Sequence, residues 1–343
     1  MKAPHRPILI LLCALVVACS DSSSNGNNSV AGAGWQDDFR PQLQLDYSEP
    51  PLDLPGIAAR CAMDVSYGDD ERNTLDICLP ESDDPAPLVL FFHGGAYVQG
   101  DKSDAYGFSA DDIRQFLQAG IAFATVNYPF IDTEPPFDDI GVIRPLTHSA
   151  RALQFLRYYA DSLNIDAEQV ASYGVSAGAS TSLWLGTHDD LADPDNPDPV
   201  LRESTRIKAM GALYTQGTLN FLRWEEILEP VTSQAVAAGI LESTEILPTA
   251  SALGAGPLLF AATGTDSIEE LESEEQRPYM ENLDAIGNMD AGDAPPHDQR
   301  RFGDRFVALL KWLVLEHSGH CSAHQPLGFL GRCLLVAVEP GDM

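Results

Sequence analysis

Short apolar runs alternate with longer amphipathic stretches along most of the chain. Two strands are predicted at 61–67 and 74–79, around the polar turn Gly68–Arg72, and the unbroken apolar run Leu88–Phe92 is typical of a strand buried on both faces. The predicted elements that follow are helix Ala110–Ala119, strand Ile121–Asn127, helix Leu146–Ser162, strand Gln169–Tyr173, helix Ala177–Gly186, strand Ile207–Tyr214 and strand Leu258–Ala262. Strands that alternate with helices favour βαβ units and a mostly parallel sheet in an α/β domain.

The alternation stops between Tyr214 and Pro257, where helical pieces such as Leu219–Leu228 take over. Ligands of open α/β sheets bind beyond the carboxyl ends of the strands, and an inserted segment can cover that edge. We therefore predict a small helical cap over residues 219–253. Its large apolar side chains, Trp224 among them, suit an apolar pocket, although core packing explains the same residues equally well.

The first residues are predicted to direct export. Two cations, Lys2 and Arg6, precede the apolar run Ile8–Ala18, whose length suits a signal peptide and is too short for a membrane span. Val16-Val17-Ala18-Cys19 resembles the bacterial lipobox, so residues 1–18 are predicted to be a lipoprotein signal peptide and Cys19 the lipidated residue; an ordinary signal peptide cut near Ala18 is the alternative. The polar segment 19–54 is predicted to be a flexible tether. These features place the protein in the bacterial cell envelope, anchored by lipid at the outer membrane.

The remaining cysteines agree with an oxidising compartment, where disulfides form. Cys61 and Cys78 lie symmetrically about the turn between the first two strands, so their thiols should face each other and form a disulfide. Cys321 and Cys333 would then form a second disulfide within a C-terminal tail over 319–343, although four cysteines allow three pairings. No Cys-x-x-Cys pair is present, so the sequence indicates no zinc site and no metal ligands.

Charge excludes one class of partner. The 343 residues include 51 acidic and 20 basic side chains, a formal net charge of −31, which repels the phosphate backbone of nucleic acids. The acidic segment Asp189–Pro199 lacks the ligand spacing and the glycine of a calcium loop, so a solvated loop is the favoured interpretation.

The strongest chemical signal is Gly174-Val175-Ser176-Ala177-Gly178, which follows a short strand and opens an alanine-rich helix. This context is the one that a nucleophile elbow requires. A serine on such a turn is lifted above the sheet, while side chains two positions before and after it would collide with the neighbouring strand and helix. The free amides at the start of the helix favour a developing oxyanion. The simpler alternative is a serine that caps a helix.

A second signal, His93-Gly94-Gly95-Ala96-Tyr97, follows the strand Leu88–Phe92. An oxyanion hole needs backbone donors within about 3 Å of the oxyanion, and residues with little or no side chain let the backbone approach that closely. Gly94 and Gly95 are predicted to supply these amides, and the Ala177 amide to complete the hole. His93 is predicted to brace the loop and not to act as a base. A plain Gly-Gly turn is the alternative.

Together these segments resemble a known family. HGGAYVQGDK, VNYP and ASYGVSAGAS, preceded by YGDDERNTLDICLP, resemble the bacterial carboxylesterases of the α/β-hydrolase superfamily that are related to hormone-sensitive lipase and feruloyl esterases. The resemblance covers residues 55–317. It implies the α/β-hydrolase fold, with a mostly parallel eight-stranded sheet flanked by helices, and ester hydrolysis without a cofactor. One departure is Pro129, where these esterases usually carry arginine.

In the fold that the resemblance implies, an acid and then a histidine follow the nucleophile along the chain. Gly264-Thr265-Asp266 resembles the acid turn of the family, and His297 precedes the last predicted helix, Phe306–Leu315, where the family places its base. Asp266 and His297 are thus the predicted partners of Ser176. The alternatives are a turn aspartate and a surface histidine, and Glu269 and Asp293 are the nearest competing carboxylates. The remaining later histidines, His188, His317, His320 and His324, fit less well.

The predicted organisation is therefore a signal peptide at 1–18, a tether at 19–54, a catalytic domain at 55–318 and a stapled tail at 319–343. The predicted activity is serine carboxylesterase, acting on small-molecule esters with short to medium acyl chains. Two alternatives stay open. One is another serine hydrolase, a peptidase or a polyester depolymerase, and residues 19–54 are too few for the propeller of a prolyl-oligopeptidase-type enzyme. The other is a non-catalytic surface binding protein on the same scaffold.

Overall fold

A mixed eight-stranded sheet forms the centre of the structure, a computed structural model that describes residues 42–138, 140–215, 217–239, 243–250, 254–285, 287–289 and 335–337. The strands are β1 (Tyr47–Ser48), β2 (Ala59–Ser66), β3 (Thr74–Pro80), β4 (Ala86–Phe92), β5 (Ala122–Val126), β6 (Ile165–Val175), β7 (Ala209–Leu213) and β8 (Leu335–Ala337). Their order is β1-β2-β3-β5-β4-β6-β7-β8. The four strands β5, β4, β6 and β7 run parallel, and the outer pairings are antiparallel.

Helices cover both faces of this sheet. They are α1 (Asp104–Phe108), α2 (Ala110–Gln118), α3 (Ile143–Tyr158), α4 (Ala160–Leu163), α5 (Ala177–Thr187), α6 (Trp224–Ala237), α7 (Ile246–Ala250), α8 (Gly256–Thr263), α9 (Ile268–Leu271) and α10 (Arg277–Asn282). Side chains of α3 and α5 pack in one apolar cluster, and those of α1 and α2 pack in a second one. The central strands are apolar throughout because they are buried on both sides.

Most predicted elements are confirmed, but the strand predicted at Leu258–Ala262 is wrong. These residues form part of the helix α8. A short apolar run cannot by itself distinguish a buried strand from a buried helix. The flanking residues decide here, because Pro257 occupies the first turn and Gly264 ends the helix in the left-handed conformation, with φ of 67°.

The chain enters the sheet earlier than the predicted tether boundary at residue 54. β1 lies inside the 19–54 segment and pairs with β2, and Leu43 and Leu45 pack against the core. The predicted disulfide between Cys61 and Cys78 is confirmed, because the two residues face each other across β2 and β3 with Cα atoms 4.1 Å apart.

Several predictions fall outside the described residues. These are the signal peptide at 1–18, the lipidated Cys19, the base His297, the helix Phe306–Leu315 and the disulfide between Cys321 and Cys333. Within the part of the chain that the structure describes, no helix combines the length and apolar character that a membrane span requires.

Candidate active site

Ser176 lies on a sharp turn between β6 and α5. Its backbone has φ of 54° and ψ of −116°, a conformation that side-chain-bearing residues rarely adopt. The amide of Ser176 donates a hydrogen bond of 2.9 Å to the Leu213 carbonyl at the end of β7. Strained residues of this kind persist only where the surrounding structure holds them, and they concentrate at functional sites. The sheet therefore holds this serine in the geometry of a nucleophile elbow.

The two glycines that flank Ser176 are required by backbone contacts. A Cβ atom at Gly178 would lie 2.0 Å from the carbonyl oxygen of Phe92 on β4. One at Gly174 would lie 2.4 Å from the carbonyl of Gly178. Neither neighbour is a flexible side chain, so neither can move aside. The predicted reason for this glycine spacing, the close approach of strand and helix, is confirmed.

The residues His93–Gly100, here called the oxyanion loop, lie beside Ser176. A Cβ atom at Gly94 would lie 3.4 Å from the Cβ of Ser176, and the left-handed Gly95 has φ of 114°. The amides of Gly94, Gly95 and Ala177 donate to no acceptor among the described residues. Gly94 and Ala177 thus adjoin the serine, Gly95 follows Gly94 in the loop, and none of the three amides donates a hydrogen bond among the described residues; their role as an oxyanion hole stays a prediction.

Two tyrosines that the sequence did not single out hold this loop. The Tyr97 hydroxyl donates to the Ala177 carbonyl at 2.7 Å, which ties the oxyanion loop to the first turn of α5. The Tyr128 hydroxyl donates to the His93 carbonyl at 2.6 Å, and its ring stacks on the imidazole. Their positions in the motifs HGGAY and VNYP were a signal that could have identified them.

His93 is fully buried and serves the loop as a hydrogen-bonding group. Its Nδ1 lies 2.7 Å from the Gly94 carbonyl oxygen, so Nδ1 carries the proton and donates it. Burial lowers the pKa of His93 below its ordinary value, and the nearby charge of Arg72 acts in the same direction, although the bond to Gly94 opposes them. The neutral imidazole points into the loop and braces it, as the sequence predicts.

An apolar cavity of about 140 Å³, partly open to solvent, adjoins the oxyanion loop and the nucleophile helix. It is lined by Ala96, Tyr97, Val142, Ala177, Leu219, Phe221, Trp224, Leu247, Ala255, Leu258, Leu259 and Ala262. The indole Nε1 of Trp224 donates to the Thr218 carbonyl, which leaves only the apolar ring for the cavity. The predicted cap region thus supplies one wall of an apolar pocket, and α8 supplies another.

The wall of this pocket is attached to the chain that follows α10. The Asp284 carboxylate accepts hydrogen bonds of 2.9 Å from both Thr218 and Arg223, and one of 3.0 Å from the Gly287 amide. Leu219 donates its amide to the Leu283 carbonyl at 3.2 Å. Asp284 therefore acts as a clamp on the short segment that carries the pocket residues Leu219 and Trp224.

Asp266 lies in the turn between α8 and α9 and is exposed to solvent. Its amide donates to the Glu270 carboxylate at 2.8 Å, and its own carboxylate accepts no hydrogen bond from a described residue. His297 lies outside the described residues, so the contact between acid and base stays a prediction. Of the competitors, Glu269 is exposed and Asp293 also lies outside the described residues.

His188 is excluded as the base by its position. It stands at the C-terminal end of α5, which is about 18 Å along the helix from Ser176 at a rise of about 1.5 Å per residue. Its Nε2 bonds to the Asn282 side chain at 2.9 Å, and its ring packs against Trp184.

Two carboxylates of the acidic segment Asp189–Pro199 are bonded by residues outside the segment. Asp190 accepts hydrogen bonds from Thr205 and Ser204, and Asp198 accepts from the Val200 amide and pairs with Arg151. No group of three or more metal-ligating side chains occurs in the ranges that the structure describes.

Comparison with known proteins places the chain in a family. The family model BD-FAE matches residues 75–258, more than half of the 343-residue chain. The matched range contains the oxyanion loop, the nucleophile elbow and the cap region. It ends before Asp266 and His297.

Two curated relatives and one solved structure illustrate the likeness. Gut esterase 1 of Caenorhabditis elegans is 29% identical over 208 residues, which are 48% of this chain and 36% of that protein. Kynurenine formamidase of Danio rerio is 43% identical over 67 residues, which are 19% of this chain and 22% of that protein. The acetyl ester-xyloside bifunctional hydrolase of Caldicellulosiruptor lactoaceticus aligns with a TM-score of 0.44 at 18% identity, over 81% of this chain and 83% of that one.

The chain thus spans little more than a third of the first curated relative and less than a quarter of the second. The predicted resemblance is confirmed at the level of the family, and the sheet order, the elbow and the oxyanion loop agree with the α/β-hydrolase fold. The chain belongs to the BD-FAE family.

Proposed function

We propose that the protein is a serine carboxylesterase that hydrolyses esters with short to medium acyl chains. The observation that carries the proposal is the positive φ of Ser176 on a turn that adjoins Gly94 and Ala177, together with the amides of Gly94, Gly95 and Ala177, which donate to no acceptor among the described residues. An arrangement of this kind stabilises the oxyanion of a tetrahedral intermediate, which is the requirement of acyl transfer. A serine that only caps a helix would need neither a strained backbone nor nearby amides that lack a hydrogen-bond acceptor.

In the proposed mechanism, the Ser176 hydroxyl attacks the ester carbonyl while His297 takes its proton. Asp266 holds the imidazole in the correct tautomer and stabilises the imidazolium. The carbonyl oxygen becomes an oxyanion bound by the three amides, and collapse of the intermediate expels the alcohol, which receives the proton from His297. Water then repeats the sequence on the acyl-enzyme and releases the acid. The mechanism requires no cofactor.

The proposed acyl preference rests on the cavity beside Ala177. Its lining side chains are apolar, and the polar atoms of Tyr97 and Trp224 are already hydrogen-bonded to the backbone. A charged or sugar-like acyl group would lose its hydration there without finding a partner, which costs several kcal/mol at about 2–7 kcal/mol per unpaired polar group. An aliphatic chain loses nothing comparable and gains about 0.8 kcal/mol for each buried methylene.

A graded series of p-nitrophenyl esters, from acetate to dodecanoate, tests the proposal with purified protein. Replacement of Ser176 by Ala should lower kcat by about 10⁶-fold, because nucleophile, base and acid act as a unit. Ser182→Ala is the matched control, since it makes the same change on the same helix at a hydroxyl that bonds to Ser172. Retention of activity in Ser176→Ala, or equal loss in both variants, would overturn the assignment.

The principal competing function is amide hydrolysis by the same serine. The relative named kynurenine formamidase favours this candidate, because its 67 matched residues are 43% identical. A matched pair of substrates, p-nitrophenyl butyrate and the p-nitroanilide of butyric acid, separates the two activities. A higher kcat/KM for the anilide than for the ester would replace the esterase proposal. A fluorophosphonate probe that fails to label Ser176 would instead favour a non-catalytic binding protein.

We also propose export to the cell envelope and lipid attachment at Cys19. The proposal is supported by the apolar run Ile8–Ala18, which ends in a lipobox-like sequence, and by the disulfide between Cys61 and Cys78. Expression of the full chain with labelled palmitate should label the protein, and Cys19→Ser should abolish the label. Labelling that persists in Cys19→Ser would contradict lipid attachment at this residue.

A further inference from the structure

Arg72, at the end of the turn between β2 and β3, extends its guanidinium into the base of the oxyanion loop. Its Nε donates to the Tyr128 carbonyl at 2.9 Å. Its Nη2 donates to the Gly100 carbonyl at 3.0 Å and to the Asn127 Oδ1 at 3.2 Å. The guanidinium also lies over the ring of Phe130, 3.8 Å from its centroid. The Arg72 side chain therefore connects the turn between β2 and β3 with Gly100, at the end of the oxyanion loop, and with residues 127–130, which follow β5.

The guanidinium of Arg72 has no carboxylate partner among the described residues. Acidic side chains outnumber basic ones by 51 to 20, yet the oxygens that accept hydrogen bonds from the Arg72 guanidinium within the described chain, those of Tyr128, Gly100 and Asn127, are neutral. A surface arginine would be expected to pair with a carboxylate, as Arg114 does with Asp111 at 2.7 Å. The planar fork of the guanidinium suits several acceptors at fixed angles, which a lysine cannot serve at once.

Close contacts connect Arg72 to the nucleophile. Gly100, whose carbonyl accepts from Arg72, is left-handed with φ of 106°, and a Cβ atom there would lie 2.4 Å from the Gly94 carbonyl oxygen. Gly94 in turn packs against Ser176, with its virtual Cβ 3.4 Å from the serine Cβ. A shift of the Gly100 backbone would therefore be transmitted to the loop glycines.

The second route runs through His93. Its Nδ1 donates to the Gly94 carbonyl at 2.7 Å, and its Nε2 faces the Arg72 Nη2 at 3.4 Å. Because the guanidinium can only donate, it favours the tautomer in which Nε2 is the acceptor and Nδ1 carries the proton. Arg72 thus selects the imidazole form that holds the Gly94 carbonyl.

The orientation of that carbonyl decides where an oxyanion donor points. The Gly94 carbonyl and the Gly95 amide belong to one planar trans peptide unit, so they point in opposite directions. A Gly-Gly peptide rotates easily because neither residue has a Cβ atom. Holding the carbonyl toward His93 and Gly100 therefore aims the Gly95 amide away from them.

From these contacts we infer that Arg72 is a positioning residue, which aims the Gly95 amide at the oxyanion by fixing the Gly94–Gly95 peptide through His93 and Gly100. The inference rests on the proposed function, because it concerns the transition state of the same ester hydrolysis. Arg72 does not touch the substrate. Its loss should impair stabilisation of the tetrahedral intermediate and leave the apolar acyl pocket unchanged.

The test compares Arg72→Ala and Arg72→Lys with wild type, and uses Arg114→Ala as a control for the loss of a surface arginine. The measurements are kcat and KM for p-nitrophenyl butyrate and the affinity for butylboronic acid, which forms a tetrahedral adduct with an active-site serine. In Arg72→Ala, kcat should fall by about 10- to 100-fold, the range expected for a misplacement of about 1 Å, while KM changes by less than about threefold. Affinity for the boronic acid should fall with kcat.

A second arm separates positioning from a general loss of stability. Arg72→Lys keeps the charge but cannot make the fork of bonds, so its kcat should resemble that of Arg72→Ala. Guanidinium at low millimolar concentration should restore part of the kcat of Arg72→Ala and should not activate wild type. Thermal unfolding of every variant shows whether the assays report on folded protein, and if Arg72→Ala does not fold, Arg72→Lys carries the test.

Three outcomes would overturn the inference. They are a kcat of folded Arg72→Ala within twofold of wild type, a change in KM alone, and full activity in Arg72→Lys. Wild type and Arg114→Ala report on the proposed function separately. If neither hydrolyses the ester, the proposed function fails and the role of Arg72 in it falls as well; if both are active, the Arg72 variants decide the positioning role alone.

Discussion

Two regions of the molecule contribute to the candidate site, and they are built differently. The nucleophile region, from β2 to β7, holds the turn at Ser176 by backbone contacts, such as the 2.0 Å that a Cβ atom at Gly178 would leave to the Phe92 oxygen, and side chains such as Tyr97 and Tyr128 add to them at the oxyanion loop. The predicted cap and the chain that follows it, whose described residues lie between 217 and 289 and which together are called the cap region below, depend more on side chains, with Asp284 as a central acceptor. Backbone contacts are tied to glycine positions that a motif reveals, whereas side-chain contacts depend on pairings across distant residues.

The difference matters for catalysis because the two regions supply different parts of the reaction. The nucleophile region contains the proposed nucleophile and the proposed oxyanion amides, and the cap region contains much of the lining of the apolar pocket and the predicted acid. We therefore expect changes in the nucleophile region to affect kcat or folding, and changes in the cap region other than Asp266 to affect substrate preference.

Among the changes that compare the two regions, the largest effect is expected at the predicted acid of the cap region, which should act on the nucleophile region through His297. Replacement of Asp266 by Asn should lower kcat by about 10⁴-fold, because the imidazole of His297 would adopt the wrong tautomer. The measurement is kcat for p-nitrophenyl butyrate, and the protein should fold normally because the carboxylate accepts no hydrogen bond from a described residue. Glu269→Gln is the matched control and should keep wild-type activity. Loss in Glu269→Gln with activity retained in Asp266→Asn would reverse the assignment.

The next prediction tests whether close backbone contacts require the glycine at position 178. Gly178→Ala should destabilise the fold by about 3 kcal/mol or more, at the upper end of overpacking costs, because the new methyl group meets the Phe92 carbonyl and not a movable side chain. Chemical denaturation measures the free energy of unfolding. Gly107→Ala is the control, since nothing lies within 4 Å of its Cβ position in α1. That control should be neutral or stabilising by up to about 1 kcal/mol, the helix propensity gain of alanine. A neutral Gly178→Ala would refute the contact argument.

A covalent link in the nucleophile region should act on stability alone. Replacing Cys61 and Cys78 together by Ala should cost about 3 kcal/mol of unfolding free energy, as expected for a closed loop of about 15 residues. The bond joins β2 and β3, away from the cap residues. Acyl-chain preference in the ester series should therefore stay unchanged, and a shifted preference would show that the two regions are coupled through the sheet.

The smallest expected effect tests the clamp in the cap region. Asp284→Asn weakens the bonds to Arg223 and Thr218, which hold the pocket wall. We expect a loss of about 1 kcal/mol in acyl-chain binding, which is roughly a fivefold rise in KM for the octanoate ester. The KM for acetate should not change, because a short chain does not reach the wall. Asp189→Asn, at a carboxylate that is 98% exposed, is the control. Equal changes for both esters would assign Asp284 to overall stability.

The sequence predicts the nucleophile region closely and the cap region less well. Predicted and observed bounds differ by one or two residues for β3 to β5 and for α2 and α5, because short apolar runs bounded by turn residues mark the strands, an amphipathic pattern marks α2 and the Gly-x-Ser-x-Gly turn marks the start of α5. The same reasoning wrongly predicted a strand at Leu258–Ala262, because a run of five apolar residues suits a buried helix as well as a buried strand. Here Pro257 and Gly264 carried the correct signal, in the form of a helix start and a helix stop.

Arg72 illustrates a limit of motif reasoning. Pro129 follows Tyr128 where the resembling esterases usually carry arginine, which suggests a missing brace. The structure shows a guanidinium on the Tyr128 carbonyl nonetheless, donated from a turn 56 residues earlier in the chain. No spacing rule links these positions, because the link arises from the pairing of β3 with β5.

Local sequence determines the features of this protein that depend on neighbouring residues: the alternation of strands and helices, the elbow around Ser176, the glycines of the oxyanion loop and the facing cysteines Cys61 and Cys78. These follow from steric limits on backbone conformation and from the spacing of positions within strands. Tertiary packing alone decides that Arg72 reaches the oxyanion loop and that Asp284 clamps the pocket wall. The free energy of those contacts comes from groups that meet only when the chain has folded, so no local pattern can encode them.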